Sequence, residues 1–179
     1  LIGNSYGAQV VGRALLAGVR ADRVLLTGSP GVDPSVHSAA QITPPGTLLF
    51  VARTPGDYVS YAQQHGPDPA DFPDVFRIET NRGEVKIGGH MSYFRNNSES
   101  LRNVGRIIKG HLAGVSRAAR TTPEQESKLL PGVSWAEPLR RLAASNAAAP
   151  ISKAFDGLAA FKAVSLPAKK KALDGKPNR

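Results

Sequence analysis

Apolar residues along this chain fall into short blocks separated by glycine, proline and serine. Leu1-Ile2 reads as the last step of a buried strand, and after Gly7 the spacing turns helical, with Ala8, Val11, Ala14 and Leu15 on one face. Gly18 stands where such a helix ends. Val24-Leu25-Leu26-Thr27 is a compact apolar run entering a Gly-Ser-Pro-Gly loop, and Thr47 to Ala52 is a second, broken by Thr54-Pro55-Gly56-Asp57. Val75 to Ile78 is a weaker third. A helix is predicted from Asn96, capped by that residue with Glu99 reaching back. Its predicted apolar face is Leu101, Val104, Ile108 and Leu112, and its wet face Arg102, Arg106 and Lys109. Strand, helix, strand, crossover, strand is the rhythm of an α/β protein with a parallel sheet.

Past Gly114 the pattern loosens. Prolines at 123, 131, 138, 150, 167 and 177 divide short helix-prone pieces, such as 134–144 and 152–163. Two parts are expected: a folded domain over 1–114, and a Pro-punctuated tail over 115–179 that is partly helical or disordered.

Charge sharpens that division. The chain carries a net +9, yet residues 1–100 hold 8 Lys/Arg against 9 Asp/Glu, while 101–179 hold 15 against 5. These C-terminal basic residues lack interleaved aromatics and any nucleic-acid motif, so a solvated tail is the expectation there and a nucleic-acid partner is not. At 179 residues there is room for one core, and no apolar run reaches bilayer length. The absence of cysteine excludes disulfides, thiolate metal sites and a cysteine nucleophile, and leaves the compartment open.

The chemistry starts at Gly3-Asn4-Ser5-Tyr6-Gly7, a G-x-S-x-G sequence between a strand end and an amphipathic helix. In that setting the motif is a nucleophile elbow: a turn tight enough to require glycine on both sides, presenting the serine hydroxyl at the sheet edge. A serine needs a base, itself oriented by an acid, and in this arrangement the chain order is Ser, Asp or Glu, then His. Asp57, on the Pro-Gly turn after the second run, fits the acid; Asp33, after the run before it, is the rival. Among four histidines, His37 comes too early and His111 belongs to the charged side of the last helix. His65 is a candidate for lining the site, as is Asn4. His90, on a Gly88-Gly89 hinge ahead of the last helix, stands where the base belongs.

The stretches GNSYG, VLLTGSPGV, FVARTPGDYVSY, HGPDPAD, GGHMSYF and NSESLRNVGRIIKG, in this order and spacing, resemble an actinobacterial α/β-hydrolase family long described as a domain of unknown function. The resemblance runs from about Leu1 to Gly110. It implies an alpha/beta-hydrolase fold and an esterase-like activity, with Ser5 as nucleophile, Asp57 as acid and His90 as base. The usual elbow of that family is Gly-His-Ser-Tyr-Gly, and Asn4 departs from it beside the nucleophile, which implies tuning of activity.

In this fold several strands precede the elbow, so the chain is expected to begin inside the domain and to represent its C-terminal half. One oxyanion donor is then the Tyr6 N–H, and the second is expected on an early loop ahead of Leu1. The function expected is hydrolysis of a small-molecule ester or related acyl bond, without metal or organic cofactor. The alternative is a non-catalytic remnant or binding module of the same fold. Oligomeric state is not legible.

Overall fold

The computed structural model describes residues 1–80 and 89–121, together with Gln125. The helix-prone pieces at 134–144 and 152–163, and Gly88 of the expected hinge, lie outside the described residues.

Four strands form one parallel sheet: β1 (Ile2–Asn4), β2 (Arg23–Thr27), β3 (Leu48–Ala52) and β4 (Phe76–Arg77), in the spatial order β1-β2-β3-β4. Registers are direct, with Gly3 opposite Leu26, Leu26 opposite Val51, and Val51 opposite Arg77. Among the described residues three helices accompany them: α1 (Tyr6–Leu16), the short α2 (Tyr58–Ala62) and α3 (Glu99–Lys109). This is an α/β fold.

Successive side chains of a strand face opposite sides, and both sides are covered here, as a parallel sheet requires. Val24, Leu26, Leu49 and Val51 join Ala8 and Leu15 of α1 with Val32, Val36 and Phe72 in one core. Leu25, Phe50 and Ala52 join Ile78, Tyr93 and the α3 residues Val104 and Ile107 in the other. A fully buried leucine such as Leu25 contributes roughly 1.5–3 kcal/mol through the water it sheds.

Helix α3 differs from its prediction at both levels. Its cap is Ser98, whose hydroxyl accepts from the Leu101 N–H, rather than Asn96. Its buried face is Ser100, Asn103, Val104 and Ile107, whereas Ile108 is exposed. The phase rotates because Asn103 is needed inside: its amide donates to the Glu79 carbonyl and the Ser116 hydroxyl, so a polar residue occupies a core-facing position. Glu99 does not reach back to the helix start. Its carboxylate takes the Ser116 hydroxyl at 2.6 Å and Arg106 at 2.8 Å, which hold it at a pKa of about 2.

The chain past Gly114 stays on this body through Thr121. The Glu79 N–H donates to the Ser116 carbonyl at 2.9 Å, and the Ala118 N–H to the Arg77 carbonyl at 3.0 Å. The Thr121 carbonyl accepts from the buried side chains of both Arg53 and Arg77.

Candidate active site

Three of the expected site residues, Ser5, Asp57 and His90, come after β1, β3 and β4, toward the edge at which parallel sheets present their ligands. Ser5 is the single residue between β1 and α1. Its backbone sits at φ 57°, ψ −128°, outside the comfortable regions for a side-chain-bearing residue. The Ser5 N–H donates to the Thr27 carbonyl at 2.9 Å, fastening the turn to the end of β2, and the Thr27 hydroxyl donates to Asn4 Oδ1 at 2.7 Å. A serine ahead of a helix ordinarily caps it with its hydroxyl. Ser5 makes no such cap, because its hydroxyl is turned away toward His90.

Only one of the two flanking glycines is sterically required. A Cβ on Gly3 would lie 2.6 Å from the Gly7 carbonyl oxygen and 2.8 Å from the Ala8 Cα, whereas a Cβ on Gly7 meets nothing within 4 Å. The tightness is on the strand side.

His90 lies on a 3₁₀ turn, Gly89–Met91, and Gly89 is packed against Thr54 rather than free to hinge. Its Nε2 is 2.8 Å from Ser5 Oγ, and its Nδ1 is 3.0 and 3.1 Å from the two carboxylate oxygens of Asp57. Asp57 is completely buried. It precedes α2, and its Oδ1 accepts the Val59 and Ser60 N–H groups at 3.0 and 3.2 Å. Asp33, the rival, is occupied elsewhere: Oδ1 takes the Ser35 amide and hydroxyl, which draw its carboxyl below the usual range, and Oδ2 pairs with Arg13.

His65 reaches the site's margin. Its N–H donates to the Pro30 carbonyl at 2.9 Å, and its ring stands edge-on to that of Tyr6 at 5.8 Å. Burial, and then Arg13, lower its pKa. The loop behind it is anchored by Arg53, whose guanidinium is wholly buried against Asp68 at 3.1 Å and Asp71 at 2.9 Å. Burial pushes the Asp68 carboxyl up to about 7, with Arg53 pulling the other way. His37 is exposed at a loop where its N–H meets Gln41, and His111 is exposed just past α3; neither joins the site.

Sequence reasoning missed three contributors. Tyr93 is buried, and its hydroxyl donates to Asp57 Oδ2 at 2.6 Å. Ser60 donates to the same oxygen at 3.1 Å. Gly28, at φ 57°, lies where a Cβ would come within 2.8 Å of Tyr93, 2.9 Å of Asp57 and 3.0 Å of His90. The signals were faint: a tyrosine three residues after the histidine, a serine three after the aspartate, and a glycine ending an apolar run.

Two large exposed side chains are sequence neighbours of site residues. Tyr6, next to Ser5, is 62% exposed and Met91, next to His90, is 86% exposed. Among the described residues, no helix is long and apolar enough to cross a membrane, and no three His, Asp or Glu side chains are grouped to hold a metal.

A hydroxyl, an imidazole and a carboxylate thus stand in hydrogen-bonded series at one edge of an α/β sheet. Residues 1–67 match the family model described as Alpha/beta hydrolase, a likeness that supports a hydrolase-type enzyme in general. The match covers less than half of the 179 residues, including Ser5, Asp57 and His65 but stopping short of His90. Comparison with curated proteins and with solved structures gave no match.

Proposed function

We propose that the protein is a serine hydrolase that cleaves an ester or related acyl bond through Ser5, His90 and Asp57. The observation that carries this is the position of one imidazole, with Nε2 at 2.8 Å from the Ser5 hydroxyl and Nδ1 within 3.1 Å of the Asp57 carboxylate. Asp57 has only acceptors when ionised, so Nδ1 bears the ring's hydrogen and Nε2 is left with the lone pair that faces Ser5.

The steps follow. Ser5 Oγ attacks the carbonyl carbon of the substrate while its proton passes to His90 Nε2, and the imidazolium is stabilised by Asp57. The carbonyl π pair moves to oxygen, where the Tyr6 N–H, among the unpaired amides at the start of α1, donates to it. Collapse re-forms the carbonyl, expels the alkoxy group and returns the Nε2 proton to it, leaving Ser5 acylated. Water then attacks the acyl carbon and gives one proton to His90, and the carboxylic acid departs as Ser5 recovers its hydrogen.

The exposed ring of Tyr6, the residue after Ser5, favours an uncharged, apolar acyl portion. Asn4 is tied to Thr27 and sets the backbone that carries Ser5, and His65 packs on Tyr6 as a lining group.

A fluorophosphonate probe, which phosphonylates activated serines, tests this. The protein is expected to be labelled and the Ser5→Ala variant to remain unlabelled. Equal labelling of the two would sink the assignment of Ser5, and labelling of neither would point instead to the binding module.

A further inference from the structure

We propose that Tyr93 is a positioning residue for His90, acting through Asp57 by setting both the orientation of the carboxylate and the negative charge it presents to the imidazole; this rests on the hydrolase reading.

The residue is placed for it. Three residues beyond His90, Tyr93 turns inward to join Val104, Ile107, Leu25 and Ile78 in the core, at 1% exposure. Its ring stands edge-on to the His90 imidazole, with centroids 6.4 Å apart and planes at 90°. Its hydroxyl has two partners at opposite ends of one turn: it donates to Asp57 Oδ2 at 2.6 Å and accepts the Thr54 N–H at 2.9 Å. The Asp57 N–H in turn donates to the Thr54 carbonyl. One phenol anchored in the core thus fixes the turn from which the acid projects.

The carboxylate has about four lone-pair directions. Oδ1 is held by Val59 and Ser60 amides and by His90, while Oδ2 is held by the Tyr93 and Ser60 hydroxyls and by His90. The Tyr93 contact is the shortest of these. A phenol kept far from ionising, by burial and then by Asp57 itself, donates here at every working pH. It draws charge out of the carboxylate that would otherwise bind the imidazolium more tightly.

Among the described residues, the other charged and titratable neighbours leave that task to it. Tyr58, beside Asp57, is held protonated by burial and then by the carboxylate. Arg53 is committed to Asp68 and Asp71 and lies over the Tyr61 ring, and the Tyr61 hydroxyl takes the Gly56 N–H. Ser5, across the imidazole, is uncharged.

Removing the phenol oxygen should strengthen the hold of Asp57 on the imidazolium. The test compares the protein with Tyr93→Phe, which keeps the ring in the core, and with Ser60→Ala, which removes the longer contact. Two readouts are taken: the pH profile of ester hydrolysis and the low-field proton NMR signal of His90 Nδ1–H. In Tyr93→Phe the acid limb of kcat/KM is expected to move to higher pH by about one unit, from the strength of a hydrogen bond to a charged group. The Nδ1–H signal is expected to shift, with Ser60→Ala moving it less and in the same direction. A signal unmoved in Tyr93→Phe overturns the inference, whatever happens to the rate, because it leaves Tyr93 a structural role alone. A signal that moves in a protein that hydrolyses no ester upholds the role of Tyr93 and removes the hydrolase reading.

Discussion

Asp57 Oδ1 caps helix α2 and faces His90 Nδ1 at the same time, accepting from Val59 and Ser60 N–H groups while lying 3.0 Å from the imidazole. The Asp57 carboxylate is therefore oriented by the backbone amides at the start of a helix. On the hydrolase proposal one side chain serves both stability and chemistry, and substitutions separate the two.

Asp57→Asn keeps an oxygen for the cap, and asparagine caps about as well as aspartate. Its melting temperature should stay close to the parent's, while ester hydrolysis falls by about 10⁴-fold, the usual cost of losing the orienting charge. Asp33→Asn should retain near-parental turnover, since that carboxylate serves Ser35 and Arg13. If Asp33→Asn is crippled and Asp57→Asn is not, the acid has been assigned to the wrong strand.

Gly28→Ala places a methyl group against Tyr93, Asp57 and His90 at a residue with φ of 57°. The backbone term alone costs about 1–2 kcal/mol. Displacing the relay by a fraction of an ångström should lower kcat by about 100-fold. Thermal melting and steady-state kinetics read the two effects separately.

Glu99 joins α3 to the segment at Ser116, with its pKa drawn from 4.5 to about 2 by the Ser116 and Arg106 hydrogen bonds. A lowered carboxyl pKa stabilises the fold above the unfolded value and loses that contribution as pH falls through the folded one. The melting-temperature gap between the parent and Glu99→Gln should be open at pH 7, narrow below about 4.5 and close near 2. A gap that does not change with pH would show that the charge of Glu99 contributes nothing.

The boundary expected at Gly114 can be tested by two truncations. We propose that the folded body extends through Thr121, because that carbonyl receives the buried cations Arg53 and Arg77. A chain ending at Thr121 should melt higher than one ending at Gly114 by about 5 °C or more, given hydrogen bonds to charged groups of about 1.5–3 kcal/mol each. Equal melting would return the boundary to Gly114.

The strands and α1 were legible because apolar runs and glycine breaks encode them locally: Val24 to Thr27 and Leu49 to Ala52 are buried as their composition implies. The phase of α3 was not, because Asn103 faces inward for partners at Glu79 and Ser116, which no periodicity reports. The same division holds at the site. Ser5, Asp57 and His90 could be picked out by motif and order, and the structure brings those three together. Tyr93 could not, since its value depends on meeting Asp57 from 36 residues away.

The backbone of Ser5 is the least comfortable in the elbow, because it carries a side chain at φ 57° and leaves its helix uncapped. Glycine takes such a conformation freely, whereas strain of this kind costs about 1–3 kcal/mol for other residues. On the hydrolase proposal the chain is thus under opposing demands at one position: the residue best for folding is the one that would abolish the chemistry. Mutational drift released from selection for activity would find Ser5→Gly a downhill step, and a Gly-Asn-Gly-Tyr-Gly elbow in a descendant would mark a lineage that had stopped using the site.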